Sequence, residues 1–118
     1  MRNRGLLGVA MVLLASPAFA HAFLERASPP VGSEVSAPPH QIVLTFTEGV
    51  EPLFSSIDVL DAQGVSVATA KPRGDAGDNR KLAVDVPTLR SRTYTVIWHV
   101  TSVDTHKTEG RFQFTITK

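Results

Sequence analysis

Between residues 92 and 100 the chain places Tyr94, Val96, Trp98 and Val100 at every second position. A period of two is the pattern of an extended strand with one buried face. It recurs along the sequence. Residues 41–47 set Ile42, Leu44 and Phe46 against Gln41, Val43 and Thr45, and residues 54–60 carry Ile57 and Val59 on one side. Residues 81–86 turn Leu82, Val84 and Val86 inward, and residues 110–117 do the same with Phe112, Phe114 and Ile116. A further strand is expected over 22–27, ended by Ser28-Pro29-Pro30. No stretch carries a helical period.

The connections are legible as well. Residues 29–39 hold four prolines and one glycine, which predicts a stiff, irregular link. Asp61-Ala62-Gln63-Gly64 predicts a turn into residues 65–68, a hairpin with Gly64 at positive φ. Residues 71–80 are charged and lack large apolar side chains, so a mobile surface loop is expected there. About seven short strands in one domain-sized stretch point to an all-β fold: an antiparallel Greek-key sandwich or barrel of immunoglobulin-like kind.

The chain opens with Arg2 and Arg4, an apolar stretch from Gly5 to Ala15, and then Ala18-Phe19-Ala20. This is the order of a secretory signal peptide, with cleavage expected after Ala20. The domain is then 21–118, with an exported, periplasmic location. The 12 Lys+Arg against 11 Asp+Glu become 10 against 11 once Arg2 and Arg4 leave. Acids and bases are interspersed without a basic stripe, which argues against a nucleic-acid partner. No apolar run of membrane-spanning length, about 20 residues, follows the signal, so a soluble product is expected.

Cysteine is absent, and Met1 and Met11 both fall within the signal. Disulfides, thiolate ligation and thioether ligation are therefore excluded after position 20, which leaves soft Cu(I) without obvious ligands. Cleavage would put His21 at the amino terminus, where its α-amine and ring Nδ1 can chelate one ion. Asp104-Thr105-His106 can add a carboxylate and a second imidazole, since residues two apart on an extended segment face the same side. Three nitrogens and one hard oxygen suit Cu(II) in tetragonal geometry. His21, Asp104 and His106 are the candidate ligands. His99 falls on the outward phase of its strand, and His40 follows Pro38-Pro39 at a strand entrance; both read as bystanders. Glu48 and Glu51 are candidates for orienting an imidazole from outside the ligand set, or plain surface acids.

The stretches HAFLERASPPVGSEVSAPP, IVLTFTEGVEPLFSSIDVLDAQG and YTVIWHVTSVDTHKTEGRFQFTI together resemble the CopC family of periplasmic copper-resistance proteins. The most specific element is an N-terminal His combined with S-x-D-x-H-x-x-x-G, here Ser102, Asp104, His106 and Gly110. The resemblance implies a small Greek-key β-barrel that binds Cu(II) through the amine and imidazole of His21, the Asp104 carboxylate and the His106 imidazole. It also implies a possible CopD-like inner-membrane partner, and Glu48 as a group beside the metal. Two departures stand out: Thr105 occupies a position where many relatives have Gly, and the methionine-rich Cu(I) segment of some relatives is missing. The expected function is a non-enzymatic Cu(II) carrier or buffer in copper homeostasis. The alternatives are a histidine-brace copper oxidase, in which Asp104 would occupy a position that oxygen needs, and an immunoglobulin-like interaction module without metal.

Overall fold

The structure is a computed structural model and describes residues 21–68 and 70–117. The expected export signal lies outside the described residues. Eight strands form: β1 Leu24–Ser28, β2 Glu34–Val35, β3 Gln41–Phe46, β4 Ser56–Leu60, β5 Arg73–Asp75, β6 Asp78–Asp85, β7 Thr93–Thr101 and β8 Lys107–Ile116. They make two four-stranded sheets, ordered β1-β3-β6-β5 and β2-β8-β7-β4. Every pairing is antiparallel except that of β2 with β8. The expected all-β sandwich is what the chain forms.

The alternation explains the core. Ile42, Leu44 and Phe46 of β3 join Leu82 and Val84 of β6 on the inner face of one sheet, and all are buried. Ile57 and Val59 of β4, Tyr94, Val96, Trp98 and Val100 of β7, and Phe112, Phe114 and Ile116 of β8 line the other. Two aromatic contacts fix the packing. Phe46 meets Trp98 edge-on across the sheets at 5.2 Å, and Tyr94 stacks on Phe114 at 5.6 Å. Such pairs add to the plain burial of their rings. The Tyr94 hydroxyl leaves the core to donate to the Arg90 carbonyl and accept from its N–H, both at 3.0 Å.

Several local expectations are corrected. Residues 71–80 are not a loop: β5 and β6 make a hairpin across them. Asp75 Oδ1 accepts from Gly77 N–H at 2.8 Å and Asp78 Oδ1 from Arg80 N–H at 3.0 Å, while Arg73 reaches Asp85 at 3.0 Å and Gln41 at 2.7 Å. This edge is held by backbone pairing and polar side chains rather than burial, so its composition hides it. The link 29–39 contains β2, too short for periodicity to register. The strand expected from residue 54 starts at Ser56, because Pro52–Phe54 forms a turn of 3₁₀ helix that leaves Leu53 and Phe54 exposed. The turn at 61–64 is present, with Gly64 at φ +82°. Asp61 Oδ1 accepts from the Gln63 and Val65 N–H groups at 2.9 and 3.0 Å. Residues 65–68, however, add a single bridge, Leu60 to Ser66, and no full strand.

Candidate metal centre

β7 runs on to Thr101 and β8 begins at Lys107. The connection between them is therefore a tight turn of residues 102–106. Its centre is Ser102, 1% exposed. Ser102 N–H donates to the His106 carbonyl at 2.8 Å, and Thr105 N–H donates to the Ser102 carbonyl at 2.8 Å. The Ser102 hydroxyl accepts from His106 N–H at 3.1 Å and donates to Asp104 Oδ1. From outside, Val103 N–H donates to the Gly49 carbonyl at 2.9 Å, which ties the turn to the segment that follows β3.

The turn closes because Thr105 adopts φ +75°. The left-handed region disfavours β-branched side chains and costs on the order of 1–2 kcal/mol. The extended geometry expected for Asp104 and His106 is thus replaced by a reversal. The two side chains still converge, with His106 Nδ1 3.3 Å from Asp104 Oδ1. The Ser102 hydroxyl, ahead of the neighbouring His106, holds the Asp104 carboxyl below the ordinary carboxylate range against a smaller opposing push from burial. Asp104 is therefore anionic at neutral pH. Both partners engage Oδ1, so Oδ2 is the oxygen that can turn to a cation.

His21 comes to the same end of the sandwich from far away in sequence. Ala22 is fully buried and its carbonyl accepts from the Thr108 hydroxyl at 2.6 Å. Thr47 accepts from Phe23 N–H through its hydroxyl at 3.0 Å, and its own N–H donates to the Phe23 carbonyl at 2.8 Å. With residues 22 and 23 gripped on two sides, the His21 ring lies 4.8 Å from that of His106, centroid to centroid. His21 therefore meets His106, which itself faces Asp104, and all three side chains are exposed.

They are not a finished cage. Among the described residues, no group of three or more His, Cys, Asp or Glu side chains is already arranged to hold a metal ion. Nδ1 of His106 faces Asp104 Oδ1. An α-amine donor at His21 would exist only in protein that starts there. The donor chemistry still fits Cu(II): imidazole and carboxylate, with no sulfur among the described residues.

His99 and His40 take part in other contacts. His99 faces outward on β7, opposite Glu109 in register, with Nε2 3.0 Å from Glu109 Oε1. His40 is exposed at the opposite end of β3 from Phe46, and its carbonyl accepts from Val86 N–H at 3.1 Å. Glu48 is exposed; it adds the smallest share to the raised pKa of Arg80, which Asp78 raises most and Glu25 next, with burial opposing, the Asp78 and Glu25 carboxylates pairing with Arg80 at 3.2 and 3.3 Å. Glu51 binds the turn region through its backbone, N–H to the Thr101 carbonyl at 2.9 Å. Sequence reasoning missed Thr47 and Thr108. Hydroxyls gripping a backbone 24 and 86 residues away leave no local pattern. The motif glycine finds its reason in packing: a Cβ on Gly110 would lie 2.5 Å from Trp98 Cζ2.

The family model of the CopC domain matches residues 24–117. The chain belongs to the CopC family. The match takes in Asp104 and His106 and begins three residues beyond His21. A solved structure described as CopC from Methylosinus trichosporium OB3b superposes with TM-score 0.78 at 40% identity, covering 82% of this chain and 94% of that one. Protein YobA of Escherichia coli K12 is 36% identical over 112 residues, 93% of this chain and 90% of that protein. Copper resistance protein C of Xanthomonas campestris pv. juglandis is 35% identical over 115 residues, 92% of this chain and 89% of that one. The CopC family is one of copper-binding and copper-resistance proteins, not of enzymes, which removes the oxidase alternative. Among the described residues, no helix is long and apolar enough to cross a membrane.

Proposed function

We propose that this protein, cleaved after Ala20 and exported to the periplasm, is a Cu(II) carrier or buffer of copper homeostasis. Copper is its cargo. His21 supplies the amine and ring nitrogen, His106 an imidazole, and Asp104 a carboxylate that offsets part of the ion's charge. The observation that carries the reading is the meeting of His21 and His106, ring to ring at 4.8 Å, beside the Asp104 carboxylate. The absence of Cys and Met after residue 11 favours Cu(II) over Cu(I). Reduction should loosen the ion, which provides a release step at a CopD-like inner-membrane partner.

The test is Cu(II) titration with EPR on protein that starts at His21, against protein with one extra residue before it. The extended form should fold normally and lose orders of magnitude in affinity, since its His21 nitrogen is an amide. His106→Ala should lose an equatorial nitrogen from the spectrum and far more affinity than His99→Ala or His40→Ala. Equal binding by native-start and extended proteins would remove the chelate at His21, and a dominant loss in His99→Ala would move the site to the outer face of β7.

A further inference from the structure

One side chain of the 102–106 turn is almost wholly buried and still makes several polar contacts. Ser102 is 1% exposed, yet its hydroxyl accepts the His106 N–H at 3.1 Å, donates to Asp104 Oδ1, and lies 3.2 Å from the His106 carbonyl. One buried oxygen therefore touches both halves of the Asp104–His106 pair. Its backbone is held as firmly, through the His106 carbonyl and a bridge to Val50. A buried hydroxyl with partners on two prospective ligands acts as an orienting group, not as a ligand.

Resting on the copper-site reading above, we infer that Ser102 is the positioning residue of the centre. By occupying Oδ1 of Asp104 it presents Oδ2 to the ion. By binding the His106 N–H it fixes where β8 begins and hence where the His106 ring points. Alanine would fill nearly the same space while leaving the His106 N–H and the Asp104 carboxylate each short of one partner. Groups that orient metal ligands in this way are typically worth about 10–100-fold in affinity.

The experiment is a double-mutant cycle of Ser102→Ala and Asp104→Ala in protein starting at His21, read by Cu(II) affinity and EPR, with apo thermal melting as the fold control. Ser102→Ala alone should weaken Cu(II) binding by about tenfold or more and shift the EPR parameters. In the Asp104→Ala background the same change should cost markedly less, because its main route to the ion is gone. Equal losses in both backgrounds, or wild-type affinity and spectrum in Ser102→Ala while His106→Ala is impaired, overturn the positioning role and leave the site standing. His106→Ala with wild-type affinity overturns the site and the positioning role together. If Ser102→Ala does not fold, a structure of the Cu(II)-loaded wild type decides. Ser102 Oγ bonded to Asp104 and to the His106 N–H is the expected result; Oγ on copper, or turned away from both, overturns the inference.

Discussion

Thr105 is the residue whose chemistry fits its backbone least. At φ +75° its branched Cβ crowds the following peptide, and glycine would be relieved of that conflict. Glycine also gives up more freedom on folding, about 0.5–1 kcal/mol, so the two effects partly cancel. Thr105→Gly should raise apo stability by at most about 1 kcal/mol, a few degrees in thermal melting for a domain of this size. Cu(II) affinity should stay near wild type, because the turn keeps its shape and both ligands remain. A Thr105→Gly protein that melts lower would mean that the threonine hydroxyl, which donates to the Asp104 carbonyl, outweighs the backbone conflict.

At the scale of elements, β7 and β8 pair over nine positions, and Trp98 sits opposite Gly110 in that register. The indole lies across the glycine, so Gly110→Ala forces either the ring or the β8 backbone to move. The expected cost is about 1–3 kcal/mol, as for other overpacked positions. A change in Trp98 fluorescence should accompany the drop in melting temperature, and an unchanged spectrum and stability would mean that the strands separate easily there. The turn after β4 gives a pH-dependent case. Val65 N–H, then Gln63 N–H and Arg92, lower the Asp61 pKa from its ordinary value, with burial opposing. A carboxyl with a depressed folded-state pKa contributes stability above its unfolded value, about 3.9, and loses it as pH falls through the lower folded value. Asp61→Asn should therefore melt below wild type at neutral pH, the gap closing under acid conditions. Parallel melting curves at all pH values would rule out the charge as the cause.

At the scale of the whole molecule, stability rests on one core between two sheets, since no cysteine is present to cross-link it. The proposed centre joins three distant parts of this sandwich: the segment before β1, the end of β3 through Thr47, and the β7–β8 turn. An ion bound there should hold these parts together and stabilise the fold by mass action, by about 2.7 kcal/mol at a free concentration one hundred times the dissociation constant. Cu(II) should raise the melting temperature of native-start protein by several degrees, and His106→Ala should abolish most of that rise. A rise of equal size in both proteins would place the stabilising ion elsewhere.

Strand phase was readable from residues alone, because a period of two belongs to each strand separately. That is why Ile42, Leu44, Phe46, Tyr94, Val96 and Trp98 are buried as their positions require and His99 faces outward. The chemistry of His21, Asp104 and His106 was also legible, since donor type needs no fold. The tertiary structure alone decided how these side chains meet. Thr105 reverses a segment that local pattern reads as extended, β5 forms where composition reads as loop, and Thr47 and Thr108 dock the segment that carries His21. Each of these depends on backbone pairing, on side-chain hydrogen bonds to other parts of the chain, or on one unusual backbone angle. None of these has an apolar period, so none leaves a mark along the chain.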